Sequence, residues 1–135
     1  QIKLGNVYTR RDFLYVADTV DAIIKTVNSK KILLGEEINL GTNFTIKVID
    51  VVKIISSILG KKLNLKLNKQ KLRPKTSEVD VLMCDYSKAL KKLNWKPKFQ
   101  GSKGLKEALK ITIDWYKKNS HNDLLNPRNT NNSYK

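Results

Sequence analysis

Two arginines stand out in a chain whose basic residues are mostly lysine. Arg11 comes just before the short apolar run Phe13-Leu14-Tyr15-Val16, and Arg73 lies in a basic loop beside Pro74. A guanidinium is a planar fork of donors that fits phosphate at two points, whereas a lysine ammonium is a point charge. Phosphate binding is one reading of both residues. Surface ion pairs are the other, Arg11 with Asp12 or Asp18 and Arg73 with Glu78, and residue types alone leave both readings open.

No catalytic set accompanies them. Tyr86-Ser87-Lys88-Ala89 does not fit a Tyr-x-x-x-Lys proton-transfer pair, and Tyr116 meets Lys117 and Lys118 at the wrong spacing. Gly101-Ser102-Lys103-Gly104 lacks the buried strand and the spacing of a nucleotide-phosphate loop. Cys84 and His121 are each the sole residue of their type, so neither a disulfide nor a Cys/His metal cluster is available. Cys84 reads as a small packed hydrophobe, and a reducing cytoplasm is the expected setting.

The 135 residues suit one modest domain, and 40% hydrophobic with 29% charged residues is ordinary globular material. The net charge of +15 invites a nucleic-acid reading. The lysines, however, are scattered singly and in pairs, with no Arg-rich block or basic-aromatic platform. Their joint excess with Asn and Ile is what an A- and T-rich genome produces. Neither nucleic acid nor membrane is expected as a partner, since no run of 18 apolar residues occurs. A small module for nucleic acid or another polyanion is the alternative. The chain starts at Gln1 with no signal peptide, and so reads as a piece of something longer.

The elements that must position the arginines follow from periodicity. Residues 1–8 read as a short strand or extended lead-in, and residues 13–16 as a brief apolar strand. Asp18 sits where a carboxylate suits a helix start. Val16, Val20, Ile23, Ile24 and Val27 form that helix's apolar stripe. Ile38 and Leu40 alternate with polar neighbours, predicting a strand that ends at Gly41. Thr45 is expected to cap a helix carrying Ile46, Ile49, Val52, Ile55 and Leu59, which Gly60 closes. Leu63, Leu65 and Leu67 predict a strand, as do Val79, Val81 and Met83. Asp85 or Ser87 caps a helix bearing Ala89, Leu90 and Leu93, which ends before Pro97. Residues 101–104 read as a hinge-like loop before a last helix with Leu105, Ala108, Leu109, Ile113 and Tyr116. Residues 119–135 read as a disordered polar tail. So few short strands leave sheet edges uncovered, which argues for a missing neighbour.

Several stretches in order carry a resemblance: RDFLYVADT at 11–19, GEEINLGT at 35–42, RPKTSEV at 73–79, CDYSKA at 84–89, LNWKP at 93–97, Gly104-Leu105, and IDWY at 113–116. Together they resemble the C-terminal part of the extended short-chain dehydrogenase/reductases, NAD-dependent nucleotide-sugar epimerases and 4,6-dehydratases. The wording looks closest to 4,6-dehydratases acting on amino-sugar nucleotides in legionaminate-type synthesis, while also resembling GDP-mannose dehydratases. The resemblance implies an α/β fold: the last strand and helix elements of a Rossmann sheet plus a small substrate-binding α/β subdomain over residues 1–118. It implies that Arg11 and Arg73 contact the diphosphate of a sugar nucleotide and that Glu78 contacts its ribose. The family's glycine-rich fingerprint, Tyr-x-x-x-Lys pair and nearby Ser/Thr have no counterpart here. The resemblance therefore implies a chain inactive alone, with no catalytic residue and no NAD of its own. The expected partners are a nucleotide-diphosphate sugar and the N-terminal Rossmann half that holds NAD, in an enzyme that is a homodimer when complete.

Overall fold

A computed structural model of the chain describes residues 2–32, 34–74 and 77–119. Five short strands and four helices follow one another as β1 (Ile2–Leu4), β2 (Arg10–Arg11), α1 (Val16–Val27), β3 (Ile46–Lys47), α2 (Val48–Leu59), β4 (Leu65–Leu67), β5 (Val81–Leu82), α3 (Ser87–Leu93) and α4 (Gly101–Asn119). The fold is α/β, as the resemblance implies. β1 runs parallel to β4, with Ile2 opposite Leu65 and Leu4 opposite Leu67. A second sheet has the order β3-β2-β5, in which β2 is antiparallel to β3 and parallel to β5. The arginine-bearing strand is therefore central: Arg11 lies opposite Ile46 on one side and Leu82 on the other.

The core lies between α1 and α3. Ala22, Ala89, Leu93 and the fully buried Trp95 form it, with Leu14, Ile32, Ile38, Leu40 and Tyr86 packed around them. Two alanines at the crossing let the helices approach closely, and Trp95 fills the space at their end. The Tyr86 ring meets Trp95 edge-on at 6.0 Å, and Tyr15 meets Phe99 at 4.7 Å. Elsewhere α2 packs against α4.

Asp18 is where the structure departs most from the periodic reading. It does not cap its own helix, whose N-cap position is Tyr15. Its carboxylate is buried and accepts from the Lys98 amide at 3.0 Å and the Phe99 amide at 3.1 Å, while its carbonyl accepts from Trp95 Nε1 at 3.1 Å. One residue of α1 thus holds the segment that leads into α4. This follows from helix geometry. The buried face of α1 is that of Asp18 and Ala22, and the stripe at Val16, Val20, Ile23, Ile24 and Val27 lies about half a turn away, in solvent.

Other expectations shift for equally local reasons. The strand expected over residues 13–16 falls earlier, at β2, because only Arg10 and Arg11 find ladder partners on both sides; Val16 already opens α1. Residues 38–40 join no ladder, though Ile38 and Leu40 still turn into the core. Thr45 does not cap α2, because its hydroxyl and carbonyl accept from Arg10 Nε and Nη2 at 3.1 and 2.6 Å. The first amides of α2, those of Val48 and Ile49, are met instead by the carbonyls of Thr9 and Val7. Residues 101–104 form no hinge but the first turn of α4, with Gly104 against the Phe99 backbone, where a β-carbon would collide.

Several expectations hold. Gly60 closes α2 at φ +61° and Asn94 ends α3 in the left-handed region, whereas the N-cap position of α3 falls to Tyr86 rather than to Asp85 or Ser87, although Asp85 Oδ1 accepts from the Ser87 amide at 2.8 Å. The tail expected from residue 119 lies outside the described residues, except that Asn119 is the last residue of α4. His121 lies outside them as well. Cys84 is partly buried against Gly41. Burial pushes its thiol pKa up, and the Asp12 and Asp85 carboxylates push the same way.

Replacing Asp18 by Ala strands the Lys98 and Phe99 amides and should cost about 3 kcal/mol in urea unfolding, with Asp18→Asn costing less; an unshifted midpoint in Asp18→Ala would disprove the clamp. Because a raised pKa keeps the thiol protonated, alkylation of Cys84 by iodoacetamide in the folded chain should rise with pH along a curve displaced upward from that of a free thiol. An inflection at or below the free-thiol position would contradict the packing described.

Candidate functional site

Arg11, the last residue of β2, and Asp12, which follows it, send their side chains to different partners. Arg11 turns toward the loop before β5. Its Nη1 donates to the Arg10 carbonyl at 2.8 Å and the Val79 carbonyl at 2.8 Å, and its Nη2 lies 3.2 Å from Glu78 Oε1. The side chains of this ion pair are 23% and 15% exposed, so water only partly screens it. The next residue, Asp12, turns the other way. Its carboxylate accepts from the Thr42 hydroxyl at 2.6 Å, the Thr42 amide at 3.0 Å and the Cys84 amide at 3.3 Å. Asp12 therefore ties the residues after β2 to the loops before β3 and after β5, and so fixes where Arg11 stands.

Glu78 and Arg73 line one recess of about 480 Å³, together with Asn6, Leu72 and Asp80. Arg11 does not itself line it, but is joined to its wall through Glu78 and the Val79 carbonyl. Of the three residues singled out in the sequence, Arg73 and Glu78 thus meet in this recess, and Arg11 adjoins it through Glu78. The ion pairs formed are not those considered there: Arg11 meets Glu78 rather than Asp12 or Asp18, and no ion pair ties Arg73 among the described residues. Arg73 is exposed, and its guanidinium is uncommitted. Of the five Arg11 donors, three are used, which leaves Nε–H and one Nη2–H open.

Asn6 and Asp80 were not singled out. Asn6 Oδ1 accepts from the Tyr8 amide at 3.0 Å, a short polar side chain turning the chain between β1 and β2. Asp80 precedes β5, and its carbonyl receives the Arg10 amide at 2.7 Å. Two parallel pairings, β1 with β4 and β2 with β5, bring residues so far apart in sequence to one recess. The RPKTSEV stretch is described except for residues 75 and 76.

No glycine-rich turn joins a buried strand to a helix among the described residues. Gly41 is pressed against Cys84 and Gly104 against Phe99, and neither stands in a turn between a buried strand and a helix. No group of three His, Cys, Asp or Glu side chains gathers as metal ligands among them, and no described helix is long and apolar enough to cross a membrane.

Comparison with known proteins bears on the family and the fold. Residues 1–108 match the family model described as GDP-mannose 4,6 dehydratase. The dTDP-D-glucose 4,6-dehydratase of Mus musculus is 31% identical over 121 residues, a match covering 87% of this chain and 32% of that protein. The UDP-glucuronate 4-epimerase of Thermodesulfobacterium geofontis is 34% identical over 116 residues, covering 85% and 32%. Among solved structures, the UDP-glucose 4-epimerase of Thermotoga maritima, crystallised with UDP-glucose, superposes with a TM-score of 0.73 at 27% identity, covering 89% of this chain and 36% of that one. The UDP-glucuronic acid 4-epimerase of Bacillus cereus, in complex with UDP-glucuronic acid and NAD, gives 0.73 at 26% identity, covering 86% and 35%. This chain spans about a third of the length of these relatives. It belongs to the GDP-mannose 4,6 dehydratase family, within the short-chain dehydrogenase/reductase type of nucleotide-sugar dehydratases and epimerases that its motifs resemble.

Proposed function

We propose that this chain is the nucleotide-sugar-binding part of an NAD-dependent nucleotide-sugar 4,6-dehydratase or epimerase and is inactive alone. The observation that carries the reading is the convergence on one recess: Arg73 and Glu78 line it, and Arg11 is tied to Glu78. In this reading Arg73 meets one phosphate of the diphosphate and the two open donors of Arg11 meet the other. Glu78 keeps lone pairs free beside its bond to Arg11, and these accept from a ribose hydroxyl. A diphosphate entering here meets Glu78 and Asp80 as well as Arg73, with Arg11 behind Glu78. Binding therefore depends on the directed donors more than on net charge, which suits Arg and not Lys.

NAD and the residues that exchange hydride and proton belong, in this reading, to the complementary part of the enzyme. The wording of RPKTSEV and CDYSKA favours an amino-sugar nucleotide of legionaminate-type synthesis as substrate, made in the cytoplasm for cell-surface polysaccharide by a homodimer. A small polyanion-binding module is the weaker reading, because family membership accounts for the fold without it.

With the chain joined to its complementary part, Arg11→Ala and Arg73→Ala should each weaken sugar-nucleotide binding by about 1.5–3 kcal/mol in calorimetry, the range for hydrogen bonds to charged groups. Arg11→Lys should recover only part of the loss, since it keeps the charge but not the fork. Unchanged affinity in both alanine variants would remove the assignment.

A further inference from the structure

A recess of about 580 Å³ between α2 and β4 shares no residue with that of Arg73 and Glu78. Ile49 and Val52 on α2, with Leu63 and Leu65 at β4, give it apolar walls, and Lys53, Lys61 and Lys62 line it as well. Lys53 is held by Asp50 at 2.8 Å. Lys61 and Lys62 are exposed and join no ion pair among the described residues. The wider stretch is equally one-sided: residues 46–72 carry seven lysines against one carboxylate, Asp50, and contain no arginine and no aromatic residue. Beside this recess a strand edge stands open, because β4 pairs only with β1 among the described residues. Toward β1 it presents the Asn64 carbonyl, which accepts from the Ile2 amide at 2.8 Å, and the Asn68 amide, which donates to the Leu4 carbonyl at 2.7 Å. With a period of two, Lys66 turns the same way, and the N–H and C=O groups of Leu65 and Leu67 face the open edge.

We infer that this edge and recess form a docking site for an acidic, extended segment of another protein, which adds a strand to β4. Main-chain bonds to Leu65 and Leu67 hold its backbone, apolar side chains at alternate positions enter the recess, and its carboxylates meet Lys61 and Lys62. Charge and shape select this occupant. A second copy brings the same lysine-rich stretch, and lysines beside an open edge keep like copies apart. Residues 120–135 hold one acid, Asp123, against Arg128 and Lys135, so the chain's own end does not supply the counter-charge. Nucleic acid would meet the lysines but finds apolar walls and no aromatic ring to stack on. A lipid surface calls for apolar side chains that project, whereas Ile49, Val52, Leu63 and Leu65 are part-buried around a recess. An acidic strand satisfies the open ladder groups, the apolar walls and the lysines together. Docking here leaves the recess of Arg73 and Glu78 free, so it stands or falls apart from the reading under Proposed function.

The probe is a short fluorescent peptide that alternates glutamate with valine, titrated against the full chain by anisotropy. Binding should weaken by on the order of 100-fold when lysine replaces glutamate in the peptide, and by about tenfold in the Lys61→Glu/Lys62→Glu variant, since both exposed positions then repel it. N-methylating alternate peptide amides removes the ladder donors but keeps charge and side chains, and should abolish binding. Hydrogen exchange at the Leu65 and Leu67 amides should slow by about tenfold or more when the peptide is bound. Failure of the acidic peptide to bind, equal binding of the lysine or N-methylated peptide, or unchanged exchange at Leu65 and Leu67 overturns the inference. So does binding of phosphatidylserine vesicles or a single-stranded oligonucleotide in the peptide's place with those amides unprotected. The same titration is run on the chain joined to its complementary part. Retained binding there supports the docking site, whereas its loss places the recess inside the complete enzyme and overturns the assignment. Should the chain alone not melt cooperatively, the joined protein decides.

Discussion

The buried carboxylate of Asp18 is the contact on which the arrangement of this chain depends. It takes two backbone amides, those of Lys98 and Phe99, at the point where the chain turns from the Trp95 core into α4. A buried carboxylate is tolerable only when its lone pairs are met, and amides buried without an acceptor are costly in turn. Each side therefore enforces the other. The Asp18 carbonyl takes the Trp95 indole as well, so the same residue seats the largest fully buried side chain. Around this point Ala22 and Ala89 bring α1 and α3 together, and Gly104 lets α4 start against Phe99.

Asp12 repeats the device on a smaller scale. Its carboxylate joins Thr42 and Cys84 to the end of β2, and the neighbouring Arg11 is thereby delivered to Glu78 and the Val79 carbonyl. Adjacent residues of opposite charge do different work: Asp12, just after β2, anchors the strand's end to Thr42 and Cys84, and Arg11 holds Glu78 on the wall of the recess that Arg73 shares. The charge that crowds the sequence around residues 10–12 is thus divided among separate partners in space.

The same chain leaves much apolar surface uncovered. The α1 stripe, the end of α4 and Val79, Val81, Leu82 and Met83 around β5 are all well exposed. Burial of apolar area is the main term favouring folding, and its absence here matches a chain that spans about a third of its relatives' length.

Local chemistry made a good part of this legible from sequence. Gly60 and Asn94 close helices by conformations those residues adopt cheaply, and Asp85 holds the Ser87 amide two residues on; each rests on contacts a few residues apart. The pairing of Leu65 and Leu67 in a strand was readable from alternation, and the colinear motifs pointed to the family that residues 1–108 match. Periodicity could show that α1 has an apolar stripe but not what covers it, because a stripe looks the same whether its partner is in the chain or outside it. Likewise, the types of Arg11, Arg73 and Glu78 suggested anion chemistry. Which carboxylate Arg11 would meet depended on β2 pairing with β5, and that Asn6 would stand beside the Arg73 loop depended on β1 pairing with β4. Contacts between residues separated by some 70 positions are decided by tertiary packing, since no local preference encodes them.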